Sequence, residues 1–305
     1  MEPQSRPERG DPLVERGRQP DRLNYATGML LGADDFSQEQ AYHRGRLARA
    51  LAYLHGSGTA AGLRAVPHPR VEPNTDPDLP RGREEELAVQ PGLAVDRLGR
   101  LIELHAEFCI RLQRWYDQQP TDALVEALHP RRAPRVPVAD DPYSGVVADL
   151  FIRFRTCTHE LTQAFASGPF DALNAVVPAR LRDHFLIELI LRPEDEPPLP
   201  ARRWPGRSDS ASIAPLHERI LDAWQESLDR WERGAPKRLP EQPPGLDTTA
   251  LFLARVVLPI TAATVAAGRP ERDLNVAVTV DNSPRGFVYT TGALAAWLEL
   301  EGGEV

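Results

Sequence analysis

Proline limits this chain more than any other feature. Each proline holds φ near about −65° and has no backbone N–H to donate, so it is excluded from helix interiors and central strands. Thirty prolines occur in 305 residues, about twice the usual share of roughly 5%. Twenty-three of them fall in five segments, 1–20, 66–84, 118–145, 192–212 and 233–248. Regular structure must therefore lie between those segments, and they also dilute the apolar fraction to 41%.

Between the Pro-rich stretches the patterns are specific. Residues 1–20 are polar and charged and read as a disordered tail, because they lack the apolar surface that offsets ordering entropy. From Leu23 the chain approaches a helix expected from about Ala33 to Leu54. Gly32 stands at the N-cap, Asp34 and Asp35 favour the positive helix end, and Gly56 is the C-terminal stop. Phe36, Leu47, Leu51 and Leu54 recur at three-four spacing and predict an apolar face. "TAAGLRAV" (59–66) reads as a strand, and residues 87–104 alternate around "DRLG" as a hairpin with Gly99 at the special backbone position. "EFCIRLQRWY" (107–116) continues as a strand or a short amphipathic piece.

Past the 118–145 segment, "ADLFIRFRTC" (148–157) alternates as a strand. Residues 162–189 predict turn or short helical material followed by the strand "HFLIELIL". A second helix is expected over 212–234, with Ile213, Leu216, Ile220, Trp224, Leu228 and Trp231 on one stripe. "TALFLARVVLPI" and "DLNVAVTVDNSPRGFVYTT" predict a further pair of strands, and a short helix closes the chain. No βαβ alternation occurs, so the expected class is α+β, a strand-dominated body with an N-terminal helix, an inserted amphipathic helix and Pro-rich loops. The expected organisation is a tail (1–20), an N-terminal helix and hairpin domain (21–117), a Pro-rich linker (118–145) and a C-terminal β-rich domain (146–305) carrying the inserted helix.

The chemistry-bearing residues form no reactive constellation in the sequence. Gly56, Gly58 and Gly62 follow a helix and precede a strand, whereas a phosphate cradle needs glycines before a helix N-terminus. Eight histidines are scattered, and His159-Glu160 lacks the second histidine of a zinc-protease motif. No G-x-S-x-G or Walker A lysine is present. The expectation is no catalytic residue, no metal and no cofactor. A net charge of −8 argues against nucleic acid. No apolar run reaches the roughly 18 residues of a membrane span, and the N-terminus lacks an apolar signal core, so a cytoplasmic location is expected. Cys109 and Cys157 lie in apolar alternating segments and read as buried free thiols, with a bridge between them as the lesser alternative. Trp224 and Trp231 can be core or interface anchors. With Tyr25 and Leu228 they are the interface candidates, since aromatic residues are enriched at binding hot spots.

Several motifs, taken in order, resemble a structural protein family found in gene clusters of bacterial contractile injection systems, the phage-tail-like particles. They are Asn24 to Gly28, the run Asp35 to His43, and Leu54 to Leu63. Next come Pro91-Gly92, Ala94, Asp96, Gly99-Arg100 and Ile102, then Ala179 to Leu189, and finally Asp281-Asn282, Arg285, Val288-Tyr289 and Thr291. Ser57 departs from the aromatic residue often found there, and the Pro-rich loops are longer than the family's pattern. The resemblance implies a non-enzymatic structural or assembly part of such a particle, baseplate-associated or accessory, in multiple symmetric copies among baseplate, sheath or accessory subunits. It implies that the motif side chains satisfy backbone groups at turns, and that the Pro-rich tail and loops reach neighbouring subunits. The competing readings are a hydrolase with a site assembled from scattered residues, and a free-standing adaptor.

Overall fold

The computed structural model describes residues 21–129, 145–163, 176–201, 236–261 and 268–289, with the single positions Glu218, Thr264 and Leu294. The class is α+β and strand-dominated: one long N-terminal helix precedes three antiparallel sheets.

Helix α1 spans Ala33–Leu54. It starts where Gly32 adopts an extended backbone, and the Asp35 carboxylate accepts the Gly32 N–H at 2.8 Å. It ends at His55, and Gly56 (φ +77°) returns its N–H to the Ala52 carbonyl, a left-handed stop that glycine adopts without strain. The expected packing face is reversed, however. The buried residues of α1 are Gly45 and Ala48, while Phe36, Leu47 and Leu54 are 50%, 57% and 76% exposed. Small residues let the helix backbone approach the body; of the expected face, Leu51 is half-buried and Phe36, Leu47 and Leu54 are turned outward.

Strands β1 (Gly58–Gly62), β4 (Gly92–Val95) and β5 (Leu101–Leu104) form one sheet in the order β1-β4-β5. Strands β2 (Ala65–His68), β3 (Glu86–Val89) and β6 (Phe108–Arg111) form a second, β2-β3-β6. The expected single strand over 59–66 is thus two, broken at Leu63, whose φ of +53° turns the chain from one sheet to the other. Pro67 is tolerated because β2 is an edge strand. Helices α2 (Leu112–Asp117) and α3 (Thr121–Glu126) follow. α3 lies inside the segment expected as a linker, and its Leu124 is fully buried.

The third sheet has the order β10-β9-β7-β8, from β7 (Val146–Gln163), β8 (Val176–Leu191), β9 (Leu251–Leu258) and β10 (Thr279–Asp281). β8 begins well before the expected "HFLIELIL" and pairs with β7 from Gln163↔Val176 to Ala148↔Leu191. β9 pairs with β7 only between Val146 and Ile152. Beyond Ile152, β7 and β8 continue as a two-stranded ribbon.

One hydrophobic core joins the three sheets, running from Leu63 and Ile102 through Leu124 and Leu150 to Val278. A smaller cluster of Phe151, Ala250 and Phe252 lies on the opposite face of the third sheet, with Leu199 and Leu246 packed on it. All eight residues of β9 are therefore buried. The described parts of the 192–212 and 233–248 segments close that face rather than extending away. Buried Gln242 donates to the carbonyls of Thr248 and Ala250, and Arg255 donates to the carbonyls of Pro197 and Pro198.

Candidate functional site

The motif residues that the sequence singles out gather around α1 and the first sheet. In the β4–β5 turn, Asp96 Oδ1 accepts the backbone N–H groups of Leu98 and Arg100 at 2.9 and 2.8 Å, and Oδ2 accepts Arg100 Nε at 2.6 Å. Asp96 is fully buried. Burial pushes its carboxyl above the ordinary range, against the pull of Arg100. Gly99 completes the turn at φ +84°, and a Cβ there would lie 1.8 Å from the Ala48 carbonyl oxygen. The hairpin tip is thus pressed against the small-residue face of α1.

A second group closes the chain from its far end. The Asn282 carboxamide meets both backbone groups of Ala65: Oδ1 accepts the N–H and Nδ2 donates to the carbonyl, each at 2.9 Å. Arg285 Nη1 donates to the Leu63 carbonyl at 2.8 Å and the Gly62 carbonyl at 3.3 Å, and Nη2 donates to Asn282 Oδ1. Burial draws the Arg285 guanidinium down to about 10, so it remains charged at neutral pH. Thr59 bridges Phe287 in parallel. At Gly58 (φ +149°) a Cβ would meet the Gly286 carbonyl at 2.6 Å. Gly58 and Gly62 of "HGSGTAAG" are therefore held against backbone, Gly62 with a Cβ position 2.0 Å from the Pro91 carbonyl oxygen.

A third group was not anticipated. Asp149 on β7 is fully buried between Arg192 and Arg255. Its Oδ1 accepts Arg255 Nε at 2.8 Å, and its Oδ2 accepts Arg255 Nη2 at 2.9 Å and Arg192 Nη1 at 2.5 Å. Arg192 also donates to the Glu241 carbonyl and to both oxygens of Glu194. Burial raises the Asp149 carboxyl, opposed by both guanidiniums. Burial is the strongest single influence on Glu194 and works upward, yet the Arg192 hydrogen bonds, a backbone hydrogen bond and the charges of Arg192 and Arg255 together hold that carboxyl below its usual range. A single acid or arginine inside the otherwise apolar "VVADLFI" and "LFLARVVL" was the available signal.

A surface cleft of about 860 Å³ opens between the second sheet and residues 274–277. Several of its charges are paired. Arg70 meets Glu72 at 2.8 Å, Arg114 holds both oxygens of Glu84 at 3.0 and 2.7 Å, and Arg272 holds Glu85 at 2.5 Å. The Arg114 hydrogen bonds keep the Glu84 carboxyl below its ordinary range. Of the histidines, His129 is buried against the Arg192 carbonyl at 2.8 Å, and His68 faces Glu107 at 3.3 Å. Among the described residues no group of three or more His, Cys, Asp or Glu side chains is placed to hold a metal ion. Nor is any described helix long and apolar enough to cross a membrane. Cys109 and Cys157 are free. Neither is buried as expected, because the strand alternation places Cys109 on the solvent side of β6, between the half-buried Phe108 and Ile110.

Among the interface candidates, Trp224, Leu228 and Trp231 lie outside the described residues. Tyr25 is 52% exposed, and its hydroxyl donates to the Glu39 carboxylate on α1, which raises the hydroxyl's pKa. Beside it Met29, Leu30 and Leu31 are also exposed, Leu30 by 94%. Phe36, Leu47 and Leu54 are likewise exposed along α1. Exposed apolar patches of this kind mark interaction sites.

Compared with protein-family models the chain matches none, and a search among curated proteins finds no significant match.

Proposed function

We propose that this protein is a non-enzymatic structural or assembly component of a contractile injection system, baseplate-associated or accessory, present in multiple copies among the particle's other subunits. One observation carries the reading. Of the motif side chains behind the resemblance, Asp96, Asn282 and Arg285 are bound to backbone groups of their own chain and Arg100 to the side chains of Asp96 and Thr249, while α1 turns Phe36, Leu47 and Leu54 to solvent. That arrangement suits a rigid part which docks through an outer surface. The acidic net charge of −8 fits protein partners better than nucleic acid.

The cleft bears on the hydrolase alternative. A general acid needs a carboxyl whose pKa is raised toward neutrality, and Glu84 is instead held low by Arg114. Purification of intact particles followed by mass spectrometry tests the proposal. Co-sedimentation of this chain with sheath, tube and baseplate proteins is the expected result. A chain that stays free of the particles and turns over an ester, phosphate or peptide would overturn it.

A further inference from the structure

Six outward positions of α1, namely Phe36, Gln40, His43, Leu47, Ala50 and Leu54, are all exposed. Their spacing alternates four and three residues. That is the a/d spacing of a coiled-coil seam, with Phe36, Leu47, Ala50 and Leu54 apolar and Gln40 and His43 polar, and over about two and a half heptads it stays on one stripe of the helix. The opposite face, Ala41, Gly45, Ala48 and Ala52, is intermediate or buried. Half of this helix is therefore assigned to the body, and the half with the periodic seam is exposed apart from Tyr25 at the flanking Glu39 and the β7–β8 ribbon beside Gln40 and Arg44.

We propose that the seam is covered by α1 of a second copy of this chain, running parallel around a two-fold axis. The flanking charges select the copy and the direction. Glu39 and Arg44 sit on opposite flanks of the seam, five residues apart. At that offset a parallel pair brings Glu39 of one helix beside Arg44 of the other, twice by symmetry. An antiparallel pairing that keeps the six layers in register sets Phe36 against Leu54, and brings Arg44 and Arg46 of both copies together across the axis. Like charges so placed disfavour it. Gln40 and His43 weaken the seam but fix its register, as polar residues at such positions do. At the N-terminal end Met29 and Leu30, 40% and 94% exposed, widen the apolar surface, and parallel copies bring these ends together. Gln40 and Arg44 also border a recess of about 450 Å³ against the β7–β8 ribbon, so the second helix lies beside that recess. The inference goes beyond the particle role and does not require it.

Sedimentation equilibrium of the full chain tests the pairing. The wild type is expected to form concentration-dependent dimers. Glu39→Arg and Arg44→Glu should each weaken the dimer about tenfold or more, and the double exchange should restore it. A wild-type monomer, or single variants as tight as the wild type, would overturn the proposal. A second arm reads direction: in a Cys109→Ser, Cys157→Ser background, Leu47→Cys is expected to form a covalent dimer under copper-phenanthroline oxidation. If cross-linking occurs instead only in mixtures of Phe36→Cys with Leu54→Cys, the copies run antiparallel and the proposal fails. Because co-sedimentation with particles does not depend on self-pairing, the two readings fail separately.

Discussion

The side chain of Asn282 serves Ala65 as a neighbouring strand would, accepting its N–H and donating to its carbonyl, both at 2.9 Å. β2 begins at Ala65, on an edge of its sheet. The carboxamide meets its first residue from 217 positions away in sequence. Asn282→Ala leaves a buried N–H and carbonyl without partners, which should cost about 2–3 kcal/mol. Asn282→Asp keeps the acceptor and loses the donor, so it should fall between. Urea denaturation of the two variants gives the ordering, and equal stability of all three proteins would refute the clamp.

Gly99 makes a sharper case. Two penalties combine there: its φ is +84°, and a methyl group in place of the α-hydrogen would lie 1.8 Å from the Ala48 carbonyl oxygen. Gly99→Ala should therefore destabilise the chain by more than the roughly 1 kcal/mol of backbone strain alone, by about 3 kcal/mol or beyond, since backbone atoms on both sides must shift. A melting curve within error of the wild type would show that α1 does not rest on the hairpin tip.

The two faces of the phenylalanine set predict opposite behaviour. Phe151 is 1% exposed and stacks edge-on to Phe252 at 5.7 Å. Phe151→Ala should cost about 3–5 kcal/mol. Phe36 is half exposed, so in the isolated monomer Phe36→Ala should change stability by about 0.5 kcal/mol or less. Chemical denaturation of both, below any self-association concentration, distinguishes them. A large loss at Phe36 would return that side chain to the core.

Alkaline stability should respond to Tyr116. It is 2% exposed and its hydroxyl donates to the Pro270 carbonyl at 2.9 Å. Burial pushes its pKa from 10.0 to about 12. A group whose folded pKa is raised stabilises fully below the unfolded value and loses that contribution as pH rises through the folded one. Between pH 10 and about 12 the wild type should therefore lose about 2–3 kcal/mol that Tyr116→Phe does not lose. Parallel pH series of the two proteins give the difference, and curves that stay parallel would contradict it.

Legibility in the sequence followed the kind of signal each residue carries. The bounds of α1 could be read because Gly32, Asp35 and Gly56 are local backbone signals. Its orientation could not, since Ala41, Gly45 and Ala48 give weak hydropathy while Phe36 and Leu47 imitate a core face. The β4–β5 hairpin was legible from alternation around "DRLG". The early part of β8 was not. Pro178, Arg180, Arg182 and Asp183 show no alternation, because the ribbon there has no sheet face to bury. Pro-rich residues 193–200 and 239–248 read as loops, correctly for their backbone, but their role in covering the third sheet depends on Arg192 and Arg255 meeting carbonyls far along the chain, with Gln242 tying the second loop to Thr248 and Ala250. The Asp149 cluster shares that dependence on tertiary pairing.

The clamp by Asn282 and Arg285 also sets an order of events during synthesis. Ala65 leaves the ribosome more than two hundred residues ahead of its partner. Until the distal segment emerges, the nascent edge at β2 keeps its hydrogen-bonding groups open to other strands. Its closure waits for those intervening residues, which makes the chain caught before that point, more than the clamped one, the natural client of a chaperone.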